Sequence, residues 1–70
     1  MERLTNEQIS LNMKAMRVKA DLTQQEVADK LGLTRATIIN WERDAGRVNI
    51  STFAILADLY NCKISDFFVA

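Results

Sequence analysis

The stretch QQEVADKLGLTRATIINWER, Gln24 to Arg43, decides the fold. Two short runs of helical periodicity meet there at Gly32. Val27, Ala28 and Leu31 share one face before the glycine, and Ile38 and Trp41 share one after it. Gly32 stands where a left-handed residue ends a helix, in a conformation that a β-carbon resists. Ala28 is small at the point where two helices must approach closely. The second run also has an outer face made of Arg35, Ala36, Ile39, Asn40 and Arg43, which no core would need. The expected unit is therefore two helices fixed at an angle, with one face of the second left free.

Moving outward, one sequence device recurs: an apolar residue, a capping residue, then an apolar residue four positions beyond the cap. It occurs as Leu4-Thr5 with Ile9, Leu22-Thr23 with Val27, Leu33-Thr34 with Ile38, and Val48-Asn49 with Phe53. Each has the spacing of a hydrophobic staple around an N-cap, and Gln8 and Glu26 offer to close capping boxes. These predict helices over about 6–20, 24–31, 35–43 and 50–60. In the first, Ile9, Met13, Met16 and Ala20 form the buried stripe, Asn12, Lys14 and Lys19 lie in solvent, and Leu11 and Val18 sit off the stripe. In the last, Phe53, Leu56, Ala57 and Tyr60 turn inward, and Asn61 is a left-handed stop. A short fifth helix over 64–68 closes the bundle with Ile64 and Phe67. The expected fold is all-α, a compact five-helix bundle in one domain over residues 1–70 with its core at about 6–68.

Composition agrees and excludes several classes. Seventy residues, 49% of them hydrophobic, suit one small core. Two glycines and no proline favour helices over a turn-rich sheet. One cysteine, Cys62, forms no internal disulfide, and the chain has no histidine, so neither a zinc site nor a nucleophile-and-base pair is expected. No enzyme, metal, cofactor or small-molecule ligand follows from the residues. Without a signal region or an apolar run near the roughly 20 residues of a membrane span, the expected location is cytoplasmic. Nine basic residues balance nine acidic ones, so nucleic-acid affinity would have to come from a local patch. Residues 35–47 hold three arginines against Glu42 and Asp44.

A short helix, a glycine turn and a second short helix have a known physical use. The first helix braces the second, which presents its N-terminal residues to base edges in the major groove of DNA. Here the chain resembles the lambda and 434 repressor/Cro-like helix-turn-helix regulators, the XRE type. The resemblance rests on L-T-Q-x-E-V-A-x-K-L-G-L-T at Leu22–Thr34 and I-x-x-W-E-R at Ile38–Arg43, and extends over roughly residues 9–68. It implies a lambda repressor-like domain that binds double-stranded DNA and regulates transcription, as a repressor of the Cro type. Gln24 then corresponds to a phosphate contact that supports the first reading residue. Arg35 and Ala36 match base-facing positions and Asn40 a later one. Thr34 and Ile39 border that face, and Arg43 and Arg47 match backbone-contacting loop positions. Arg17 and Glu42 correspond to a partly buried ion pair.

The residue chemistry is compatible. Arginine pairs with guanine O6 and N7, asparagine with adenine N6 and N7, and Ala36 and Ile39 suit thymine methyls. The plainer readings are that Arg35 is a solvated charge, Trp41 and the methionines are core, and Cys62 is a small half-buried residue. Three positions depart from the family pattern. Asp44 replaces a common glycine and leaves Gly46 to supply the positive φ, Val48 replaces a common proline, and Asp44 adds negative charge near the phosphate path. Phe67, Phe68 and Val69 cannot all face one small core, and so suggest a homodimer contact. Two copies would span a near-palindromic site, third helices about 34 Å apart. The alternative is a protein-interaction module, an antitoxin or anti-repressor, using the same fold.

Overall fold

Caps set where each helix begins. The computed structural model describes residues 3–70; Met1 and Glu2, which the 1–70 domain takes in, lie outside the described residues. Four α-helices follow: α1 Asn6–Lys19, α2 Gln24–Leu31, α3 Arg35–Arg43 and α4 Ile50–Leu59. Thr5, Thr23 and Asn49 are extended and accept a hydrogen bond from the backbone N–H three residues on. Of the two capping boxes expected, at Thr5–Gln8 and Thr23–Glu26, the second closes, with both bonds at 3.0 Å. The Thr23 backbone N–H that bonds the Glu26 carboxylate holds that group below its ordinary pKa. At Thr5 the second half fails because the Gln8 amide turns along the helix and donates to Asn12 Oδ1. Thr34 makes no side-chain cap; its hydroxyl meets that of Thr37 at 3.1 Å. Leu33 stays 41% exposed, so the staple expected there clasps α3 loosely.

One kind of stop ends three of the helices. Asp21, Gly32 and Asn61 take φ values of 60°, 68° and 54°. In each case the next residue's N–H reaches back: Leu22 to Arg17 O, Leu33 to Ala28 O, and Cys62 to Ala57 O. This is the Schellman geometry. Gly32 is needed for its backbone alone, since an added β-carbon would meet nothing within 4 Å. Gly32→Ala should therefore lower stability by about 1–2 kcal/mol, the cost of a left-handed L-residue. Urea titration checks this, and an unchanged midpoint would refute it.

α3 ends differently from expectation. Asp44 leaves the helical region (φ −140°, ψ 89°), and its carboxylate accepts from Gly46 N–H to cap a 3-10 turn at Ala45–Arg47. Gly46 does not take over a positive φ; Gly32 is the positive-φ glycine. Space is what position 46 lacks, because a β-carbon would lie 2.8 Å from Asn6 Nδ2 and 3.1 Å from Asp44 Oδ1.

The expected fifth helix is also 3-10, over Ile64–Phe68. Asp66 accepts from Lys63 N–H, and five residues are too few for α-helix propagation to overcome the cost of nucleation. The described residues are thus all helical, with four α-helices and two 3-10 segments rather than five helices. Among them no helix is long and apolar enough to cross a membrane.

The core gathers Met13, Val27, Ala28, Ile38, Phe53, Leu56, Ala57, Tyr60 and Phe67. Phe67 is completely buried, whereas Ile64 remains 37% exposed. Phe53 meets both terminal rings, Phe67 at 5.5 Å and Phe68 at 5.0 Å. Aromatics therefore fill that seam and leave Ile64 on the rim. Phe67 has no surface left for a partner; half-buried Phe68 and exposed Val69 do.

α1 supplies polar ties that sequence reading missed. Asn12, expected in solvent, is 8% exposed and donates both amide hydrogens, to Phe67 O at 2.9 Å and Val69 O at 2.7 Å. Its position, three after Ile9 and four before Met16, lies on the buried stripe, and that spacing was the available signal. Buried Ser10 accepts from Ala45 N–H at 2.9 Å.

Candidate nucleic-acid interface

Close packing between α2 and α3 creates the candidate surface. Val27 and Ala28 have no exposed area and Ile38 only 1%. With Ile38 inward and Trp41 half-buried against the core, the helix period turns Arg35, Ala36, Asn40 and Arg43 to solvent. Ile39 is half-buried at the edge of this face, and Thr34 is exposed at its head. Among the described residues, the side chains of Arg35, Asn40 and Arg43 make no hydrogen bond. The first turn of α3 holds no acidic residue.

Asn40, Arg43, Asp44 and Arg47 line one surface pocket, which joins the end of α3 to the 3-10 turn. Arg47 is 77% exposed and its Nε donates to Asp44 Oδ2 at 3.3 Å. The structure therefore brings together the α3 face and the two loop arginines. Gln24 is half-buried, and its amide donates to Glu42 Oε1 at 3.3 Å.

Behind the face, Arg17 and Glu42 form a two-pronged pair, Nε to Oε2 at 2.7 Å and Nη2 to Oε1 at 3.1 Å. Arg17 Nη1 also donates to Leu22 O at 2.7 Å, just beyond the end of α1. The side chains are 9% and 6% exposed, so the pair is buried more fully than the partial burial expected. Both carboxylate oxygens and all three guanidinium nitrogens are satisfied, a requirement for holding charge in a low-dielectric site. Nearby Tyr60 has its phenol pushed well above the ordinary value, first by burial and then by the Glu42 charge, so it stays neutral.

This arrangement, a brace helix, a left-handed glycine turn and a second helix with one face free, defines a helix-turn-helix domain. A family model described as "Helix-turn-helix" matches residues 13–67. The chain belongs to this helix-turn-helix family, the XRE type that Leu22–Thr34 and Ile38–Arg43 resemble. An uncharacterized HTH-type transcriptional regulator of Archaeoglobus fulgidus is 32% identical over 57 residues, covering 81% of this chain and 80% of that protein. No solved structure matches the chain significantly. The family is one of transcriptional regulators and not a class of enzyme.

Proposed function

We propose that this protein binds double-stranded DNA sequence-specifically and regulates transcription, as a repressor of the Cro type. The observation that carries this reading is the α3 face: Arg35, Ala36 and Asn40 are exposed and make no side-chain hydrogen bond among the described residues, on a helix whose other face is locked to the core. Evolution of a core does not require them. Arg35 at the first turn reads guanine, Asn40 one turn further reads adenine, and Ala36 and Ile39 lie against thymine methyls. Thr34, without a capping bond of its own, stands where a phosphate approaches the free amides that open α3. Arg43 holds the backbone beside it, and Arg47, paired with Asp44 in the free protein, can join it only by leaving that pair. Gln24 gives one amide hydrogen to Glu42 Oε1, and the second hydrogen of the same nitrogen can donate to a phosphate.

Two copies would associate on DNA through the C-terminal edge at Phe68 and Val69, matching a near-palindromic site. Arg35→Ala should lose about 1–3 kcal/mol of preference at a single base position, with unchanged thermal unfolding. Selection from a random DNA pool, repeated with the variant, measures it. Identical selected sequences and affinity for the two proteins would sink the reading.

The balanced net charge favours a second reading, a module that holds a protein partner. Salt separates the two. DNA affinity falls with rising salt in proportion to the phosphates neutralised, whereas an apolar protein contact does not follow that law.

A further inference from the structure

Asp44 is the one acidic side chain in the pocket where Asn40, Arg43 and Arg47 converge. Its carboxylate takes two donors at once: Gly46 N–H at 3.1 Å on Oδ1 and Arg47 Nε at 3.3 Å on Oδ2. A backbone amide beside a guanidinium is the donor set that a DNA phosphate oxygen accepts from. Arg43, in the same pocket, makes no such bond among the described residues.

We propose that Asp44 acts as an internal stand-in for a phosphate, holding Arg47 in competition with DNA and so limiting backbone affinity. This inference rests on the DNA-binding reading above. Both partners of the Asp44–Arg47 pair are well exposed, at 49% and 77%, so the pair is weak enough to exchange. While it lasts, the pair presents no net charge to the duplex, so Arg47 neutralises no phosphate. An affinity held down in this way sets a low non-specific background, so that discrimination rests on the α3 face rather than on charge. The balanced total charge of the chain points in the same direction.

Asp44→Asn is the informative change, because the amide oxygen can still accept from Gly46 N–H while the charge is lost. Binding is measured across a salt series with two probes: a duplex selected from a random pool and a duplex of arbitrary sequence. Asp44→Asn should tighten binding to both probes by about two- to fivefold, the size of an exposed ion pair. Its log–log salt slope should steepen by about 0.9, one further phosphate neutralised. Arg47→Ala should cost less than about twofold in the native chain yet abolish the gain in the Asp44→Asn background, which is the coupling of a double-mutant cycle. Arg43→Ala should show no such coupling.

Asp44→Ser, which keeps a capping oxygen, should give the same direction and guards against a distorted turn. A gain that survives Arg47→Ala undiminished, or no change in slope, overturns the inference while leaving DNA binding intact. Failure of the native chain to bind any selected duplex removes the DNA reading itself, and the inference with it.

Discussion

Arg17→Met should destabilise the domain by about 3–5 kcal/mol, because it leaves the Glu42 carboxylate buried without its counter-charge. The side chains are 9% and 6% exposed, so water cannot replace the lost donors without opening the seam between α1 and α3. Leu22 O loses its partner as well. At about 0.05–0.15 kcal/mol per residue, a 70-residue chain holds roughly 4–10 kcal/mol in all. The variant should thus fall close to half-unfolded at moderate temperature. Glu42→Leu alone should be similarly damaging, since it strands the guanidinium. The double change Arg17→Met/Glu42→Leu should recover most of the loss, because an apolar pair of similar volume often matches or exceeds a buried ion pair. Urea titration of the four proteins measures the coupling. If either single change costs less than about 1 kcal/mol, the pair is exposed in solution and the surface-pair regime applies. The four proteins also separate anchoring from reading: if the pair only holds α3 in place, the double variant regains DNA binding along with stability.

The features legible in the sequence are those whose partners are close along the chain. Thr23 and Glu26 sit three residues apart, and Gly32 and Asn61 each end a helix whose acceptor lies within one turn. Asp21 obeys the same geometry; like asparagine, aspartate enters the left-handed region more readily than other L-residues, but it is so common elsewhere that it signals less than glycine does. Asn12 reads as solvated and Ser10 goes unread because their partners lie 57 and 35 residues away and are backbone groups, which leave no mark on composition. The shape of the α3 end failed for a related reason. Glycine at 46 suggests a turn, whereas the space between Asn6 and Asp44 is what selects it. As for the candidate site, subtracting the core positions from α3 leaves Arg35, Ala36, Ile39, Asn40 and Arg43, and the structure exposes all of these but Ile39, which is half-buried. Subtraction says nothing about side chains that lean across to another element. Gln24 leans to Glu42 across 18 residues, a contact without a signature in spacing, whereas Asp44 and Arg47 stand at the i,i+3 spacing of a local ion pair.

Phe67→Ala should cost about 3–5 kcal/mol, the range for emptying a large aromatic site. Phe67 is the largest completely buried side chain, with ring centroids 5.5 Å from Phe53 and 6.3 Å, edge-on, from Tyr60. Its backbone is fastened too, through Asn12 Nδ2 to Phe67 O, so the 3-10 segment cannot easily sink into the vacated space. Little relaxation means the cavity term is added nearly in full. Phe68→Ala removes a half-buried ring from the other side of Phe53 and should cost about 1–2 kcal/mol, a fraction of full side-chain burial. Val69→Ser, at an exposed position, should stay within about 0.5 kcal/mol. Thermal or urea unfolding should therefore rank the three positions 67, 68, 69 in falling order. Equal losses at 67 and 68 would mean that the two rings share the seam instead of one filling it. Sedimentation of the same variants asks the other question. If the C-terminal edge joins two copies, Val69→Ser should shift the population toward monomer without touching stability, whereas Phe67→Ala can affect association only by loosening the segment that carries Phe68 and Val69.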